Sequence, residues 1–313
     1  MSDFSESSQS LDEVRPRSTN ARFRPRRSCL YVPGDKARAL EKAGSLPADV
    51  LILDLEDAVA PDAKAGARET IRNAVGARAY GSREVLVRVN GLDTEWGRDD
   101  LAMAVSAGVD GVVVPKMTKG KGVRAVDRVL DDAGASPDLG LWAMIETPLA
   151  ILNIKKIAKA SAKTRLTGFV MGTNDLAKEY NAVATPDRQA FLFSLSAALV
   201  AARAYGLAAI DGVYNDIGNE AGLAAECEQG RVLGFDGKTL IHPAQVATAN
   251  RVFSPSDAEL GHARDVVAAF ARPENRGKGV ISVNGRMVEL LHLMQAERLL
   301  AIDDAIRQLD ASS

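Results

Sequence analysis

From Ser28 onward, eight short apolar runs alternate with eight longer stretches of helical character. The runs are SCLYV, VLILDL, VLVRV, GVVVP, LWAMIE, GFVMG, LAAIDG and the weaker GFDGKTLI. Each is four to eight residues, rich in aliphatic and β-branched side chains, and bounded by turn residues, which is how a strand buried on both faces reads. Between them lie DKARALEKA, PDAKAGARETIRNAV, GRDDLAMAVSAG, KGVRAVDRVLDDA, PLAILNIKKIAKA, RQAFLFSLSAALVAARAYG, NEAGLAAECEQGRVLG and PAQVATANRVF, all helix-like. Eight such units predict an α/β fold of the (β/α)8 TIM-barrel type. The rival is a doubly wound open sheet with a glycine-rich dinucleotide turn after its first strand. Here that turn reads VPGDK, without the required glycine spacing.

Several runs end in charge: LILDLED, VLVRVN, LWAMIET and GFVMGTND. A charge closing an apolar strand has no packing reason to be there. In a parallel barrel all strand C-termini open on one mouth, where chemistry sits. Glu146 closes the fifth run and Asp175 lies just past the sixth. Neighbouring strands are about 4.8 Å apart, so both carboxylates can reach one cation, and Mg2+ suits such oxygen donors. The competing reading is helix capping by Asp175, and by Thr147 before Pro148; it leaves Glu146 unexplained. Asp54, Glu56 and Asp57 crowd one turn and repel unless cations neutralise them. Asp54 is expected to support the metal or its waters rather than bind it. Arg88, at the end of the third run, needs an anion: either a structural partner among Glu56 and Asp57, or a substrate carboxylate or enolate.

Lys116 and Lys238 raise the alternative of a Schiff-base aldolase, a weaker reading beside an acidic pair that supplies an electrophile through a metal. His242 before Pro243 is expected to cap or pack, and Asp211 to line the mouth or serve structurally. Arg27 and Lys36 are candidate phosphate contacts, with no phosphate-loop motif behind them.

Residues 1–26 are polar and aperiodic and are read as a disordered N-terminal arm. Residues 27–253 form the expected barrel. Residues 254–313 are expected to make a helix, a hairpin turning at Asn284-Gly285 and a final helix, together a C-terminal lid over a barrel mouth, its own or a neighbour's. A net charge of −2 and 5% aromatic residues argue against nucleic acid and anionic membranes as partners. No run is long enough to span a bilayer. Cys29 and Cys227 lack metal-type spacing and read as idle thiols, and the N-terminus lacks signal-peptide character, so a cytoplasmic location is expected.

The pieces RRSCLYVPGDK, LDLEDAVAPDAKAGAR, VRVNG, VPKM, MIETP, GTNDLAKE, DGVYN and GFDGKTLIHPAQ together resemble the citrate lyase β-subunit-like family of the HpcH/HpaI aldolase group, over nearly the whole chain. Within it the chain looks most like the malyl-CoA lyase and (3S)-malyl-CoA thioesterase branch. The resemblance implies a Mg2+-dependent enzyme acting on a CoA thioester and a small 2-oxo acid. Glu146 and Asp175 match the metal ligands. Arg88 matches the substrate-binding arginine, Glu146 borders the substrate, and Glu56 and Asp57 match supporting acids. It further implies a homotrimer or hexamer whose C-terminal segment closes a site. Many lyases of the family carry an Asp in that segment; here GRMVELLH places Glu289 there, with His292 one turn on. The leading expectation is a lyase of malyl-CoA or β-methylmalyl-CoA. Alternatives are a malyl-CoA thioesterase, a citryl lyase subunit working with an acyl carrier protein, a 2-oxo-acid aldolase acting without CoA, or a non-catalytic binding protein.

Overall fold

The structure is a computed structural model that describes residues 24–77 and 80–311. Eight parallel strands close into a barrel in chain order: β1 (Ser28–Pro33), β2 (Val50–Asp54), β3 (Glu84–Arg88), β4 (Gly111–Val114), β5 (Gly140–Ile145), β6 (Leu166–Met171), β7 (Ala208–Asp211) and β8 (Gly237–Leu240). The register alternates residues between an inner cluster and the helical jacket. Cys29, Val50, Ile52, Leu86, Val113, Trp142, Met144, Val170 and Ile210 pack inside. Their neighbours in sequence, such as Leu51, Val87 and Ala143, pack outward against the helices. This period of two sends Asp54, Arg88 and Glu146 inward as well, one pleat above Ile52, Leu86 and Met144. The β2 and β3 registers pair Asp54 with Arg88.

The jacket comprises α1 (Ala37–Ala43), α2 (Lys64–Gly76), α3 (Gly97–Ala107), α4 (Gly120–Asp132), α5 (Pro148–Leu152), α6 (Ile154–Ala158), α7 (Thr173–Tyr180), α8 (Leu192–Ala204), α9 (Glu220–Leu233) and α10 (Val246–Phe253). The stretch read as one helix after the fifth strand is two, broken at Asn153, whose side chain donates to Thr118 O at 3.1 Å. The sixth crossover holds two helices, and the first, α7, starts at Thr173, earlier than a helix capped by Asp175 would, so Asp175 lies within its first turn.

The tail is α11 (Asp257–Phe270), β9 (Val280–Val283), β10 (Arg286–Glu289) and α12 (Leu290–Ala311). The hairpin turns at Asn284 and Gly285 with φ of 51° and 76°, as a two-residue turn of this type requires. Helix-hairpin-helix packing has its own small core of Ala263, Val266, Ile281, Val283, Val288 and Ala296.

One expectation needs correction here. Residues 1–23 lie outside the described residues, but Arg24 and Arg26, assigned to the arm, belong to the barrel's N-terminal face. Arg26 is buried, bidentate to Glu84 at 2.5 and 2.9 Å and stacked 4.9 Å over Trp142. Arg24 pairs with Asp110 at 2.9 Å. Of the two mouths open to the tail, it does not cover its own. Helix α12 runs along the opposite, N-terminal face: Asp310 meets Arg27 at 3.1 Å, and Ile306 is buried beside Arg26 and Arg27 around a groove of about 890 Å³.

Candidate active site

At the C-terminal ends of β2 and β3, Arg88 is held from three sides. Nε and Nη2 form a fork on Asp54 at 2.7 and 2.5 Å. Nη1 lies 2.8 Å from Glu56 Oε2 and 3.6 Å from Asp57 Oδ2. The guanidinium carbon sits 4.9 Å over the Tyr31 ring. Burial disfavours its charge, but the Asp54 hydrogen bonds outweigh that and raise its pKa. Asp54 is therefore the aiming partner of Arg88; it also accepts from the amides of Glu56 and Ala58, at 2.9 and 3.3 Å. The contact of Glu56 Oε2 with Nη1 is close but misaligned, so this buried oxygen has no hydrogen-bond donor. Burial, then the neighbouring acids, push Glu56 up to about 7 against the pull of Arg88. Asp57 is exposed at the rim.

The turn carrying these acids is fixed by residues that the sequence reading passed over. Lys64 is buried and donates to Leu55 O and Glu56 O at 2.7 and 2.8 Å. Asn90 donates to Leu55 O at 2.9 Å and to Asp100 at 2.6 Å, and Asp100 takes Arg68 at 2.9 Å. The signal was present in VRVNG, where an amide directly follows the strand that delivers Arg88.

Glu146 follows β5 and is 2% exposed. Its Oε1 accepts from the main-chain N–H of Lys116 at 2.5 Å. Its neighbour across the β5–β6 ladder is Gly172, and a Cβ there would lie 2.5 Å from Glu146 Cβ and 2.7 Å from Oε2, so only glycine leaves room. Burial, more than the charges of Glu56 and Asp175, pushes Glu146 up to about 8, against the hydrogen bond from Lys116. Asp175 is half-buried on α7, and no side chain caps that helix, so the capping reading of Asp175 is not realised. Thr147 does cap α5, accepting from Ala150 N at 3.1 Å. A carboxylate directly after β5 and another in the first turn of the helix after β6, with no group of three or more acids, His or Cys placed for a metal among the described residues, fit Mg2+, which takes one or two protein carboxylates and keeps waters. They do not suit a zinc-type closed site.

The remaining candidates separate. Lys36 lies on the β1–α1 loop at the mouth, largely exposed and 2.6 Å from Asp35. Arg27 is at the opposite end of the barrel, clamped by Asp49 at 2.8 and 2.9 Å, so its reading as a substrate contact is withdrawn. Glu289 is not brought to this mouth: among the described residues no hydrogen bond or ion pair joins it to the loops there, and its amide donates to His292 Nδ1 at 2.9 Å. Lys238 and Asp211 point outward from β8 and β7, where Lys238 meets Asp211 at 3.2 Å and Glu226 at 2.6 Å, and Arg188 meets Asp211 at 2.7 Å. A lysine buried outside the barrel cannot form a Schiff base in it. Lys116 is at the mouth, but Glu56 and the other acids raise its pKa against burial, the wrong direction for an amine nucleophile. His242 caps the turn at Pro243, accepting from Ala244 N at 3.2 Å.

A closed parallel barrel with an arginine and two carboxylates gathered on its C-terminal mouth is the architecture of a barrel enzyme, whose chemistry sits at that mouth. A profile described as HpcH/HpaI aldolase/citrate lyase matches residues 27–243, and the chain belongs to that family. The (3S)-malyl-CoA thioesterase of Cereibacter sphaeroides (strain ATCC 17025 / ATH 2.4.3) is 52% identical over 288 residues, 92% of this chain and 98% of the relative. Citrate lyase subunit beta of Escherichia coli (strain K12) is 40% identical over 271 residues, 85% of this chain and 89% of the relative. Among solved structures, protein CitE from Mycobacterium tuberculosis in complex with magnesium, acetoacetate and coenzyme A superposes with a TM-score of 0.71 at 28% identity, covering 88% of this chain and 97% of that one.

Proposed function

We propose that this enzyme binds Mg2+ through Glu146 and Asp175 and acts on a malyl-CoA-type thioester, chiefly by hydrolysis to the hydroxy acid and free CoA. The observation that carries the choice of reaction is the 52% identity to a (3S)-malyl-CoA thioesterase along 98% of its length. The family resemblance put carbon–carbon cleavage first; the identity to the thioesterase is the support for placing hydrolysis ahead of it. Cleavage to glyoxylate and an acyl-CoA enolate remains the second reading, favoured by the 40% identity to a citrate lyase β subunit.

When bound, Mg2+ supplies Lewis acidity toward a carboxylate and carbonyl oxygen. Arg88, aimed by Asp54, binds the substrate's carboxylate and balances the negative charge that develops on oxygen. In hydrolysis, water adds to the thioester carbonyl carbon, the C–S bond breaks, and the sulfur leaves as thiolate and is protonated. Glu56, pushed up to about 7, accepts the proton from water near neutral pH. Lys36, exposed at the rim, is the proposed contact for a CoA phosphate. Glu289 acts in trans, in a homo-oligomer where one subunit's tail closes its neighbour's mouth. Val280, Met287, Leu290 and Met294 on that tail are half-exposed or more, which fits a surface covered by another copy. No helix among the described residues is long and apolar enough to cross a membrane, and we place the enzyme in the cytoplasm.

The test is product analysis on malyl-CoA with Mg2+, with and without EDTA. EDTA-sensitive release of CoA and malate without glyoxylate establishes hydrolysis. Glyoxylate trapped by phenylhydrazine with no free thiol replaces it by the lyase reading. EDTA-insensitive turnover removes the metal.

A further inference from the structure

Lys116 has a left-handed backbone, with φ of 50°, which is disfavoured for any residue carrying a Cβ. It follows Pro115, which has no N–H to give, and precedes Met117, whose N–H returns to the ladder at Met144 O, 3.3 Å away. The departure from extended geometry is therefore confined to one residue, and its consequence is that the Lys116 N–H leaves the ladder and meets Glu146 Oε1 at 2.5 Å. The far side of the same carboxylate is bounded by Gly172, which lacks the Cβ that would crowd Oε2. The Lys116 side chain is 63% exposed, and its only carboxylate neighbour within salt-bridge distance among the described residues is Glu56, at 3.8 Å. No packing of that side chain explains the backbone conformation.

We propose that Lys116 is a positioning residue of the metal centre: its left-handed backbone aims one N–H at Glu146 Oε1, fixes the rotation of that carboxylate, and leaves Oε2 free to face the cation with Asp175. This rests on the reading of Glu146 and Asp175 as Mg2+ ligands. Strain retained at one residue beside a functional carboxylate is the expected signature of such a device.

The test replaces Lys116 by Gly, Asn, Ala and Val, which are all uncharged, so that only backbone tolerance varies. Gly and Asn accept the left-handed region, Ala resists it, and a β-branched Val resists it most. Mg2+ binding to the metal-stripped full-length proteins is measured by titration calorimetry, with circular dichroism to confirm the fold. The Gly and Asn variants bind Mg2+ alike, and the Ala and Val variants bind about five- to thirty-fold more weakly than these two, the factor set by the left-handed penalty, with wild type, whose lysine bears the same penalty, close to Ala. Equal affinity across the four variants overturns the proposal. If the Val protein does not fold, the Ala and Gly proteins decide by the same criterion. A wild-type protein that takes up no Mg2+ overturns the metal reading along with it, a result distinct from four variants that bind equally.

Discussion

Burial sets the chemistry of Glu146 before any ligand arrives. Pushed up to about 8, with Glu56 at about 7, the metal-free site holds protons near neutrality that a cation must displace. The sign follows from linkage. A carboxylate raised above its unfolded value favours the folded state fully below that unfolded value, near 4.5, and loses the contribution as pH rises through its folded pKa. Metal-free protein is therefore expected to lose stability on this account between about pH 4.5 and 8, whereas stabilisation by Mg2+ grows over pH 6 to 8.5. Melting temperatures with EDTA and with Mg2+ across that range check both; a Mg2+ shift that shrinks with rising pH contradicts the argument. Glu146→Gln removes the charge and keeps the shape. The variant is expected to melt no lower than wild type in EDTA, to lose the Mg2+ shift, and to turn over at least about a hundredfold more slowly. At this scale the sequence was half legible. Arg88, Glu146 and Asp175 stood out because charge closed an apolar run. The pairing of Asp54 with Arg88 was not legible, because the two lie on different strands and only the register shows that they face each other.

An element decides which face a residue serves, and that explains most of the remaining successes and errors. The period-two pattern was readable run by run, so the barrel and its eight strands were too. What no run discloses is the closure register, which turns Lys238 and Asp211 outward onto Glu226 and Arg188. These four charges, two of each sign, neutralise one another between β7, β8 and α9. Lys238→Met leaves buried acids with one cation fewer and is expected to destabilise by about 3 to 5 kcal/mol in denaturant unfolding. The protein that remains folded should keep its specific activity; a selective loss of kcat would return Lys238 to the site. Gly172 makes the complementary case. Gly172→Ala drives a Cβ against Glu146 and should cut activity while costing only about 1 to 3 kcal/mol in stability. Gly261→Ala, in the interior of α11 with nothing within 4 Å, should instead stabilise by about 0.5 to 1 kcal/mol and leave activity untouched. Equal effects of the two substitutions would detach Gly172 from the role of Glu146.

The whole molecule places its two conspicuous acidic features at a distance: the cradle on the mouth, and Glu289 on a tail anchored to the opposite face through Asp310 and Ile306. The sequence foretold the tail's elements but left open which mouth it serves, because that choice depends on how copies of the chain meet. With the tail held on its own N-terminal face, Glu289 acts on a neighbour's cradle if it acts at all. Mixing separates the possibilities. Arg88→Ala subunits lack a cradle and Glu289→Ala subunits lack the tail acid, so each homo-oligomer should be nearly inactive. Co-refolded at equal amounts, about a quarter of the sites in a closed ring combine an intact cradle with a neighbour's intact tail. Activity should therefore return to about a quarter of wild type, in proportion to hetero-oligomers seen by native mass spectrometry. If hetero-oligomers form without recovery, the tail works in cis. If Glu289→Ala alone turns over like wild type, the tail acid has no part in the reaction, and the cradle of Arg88, Glu146 and Asp175 must supply the proton chemistry through Glu56.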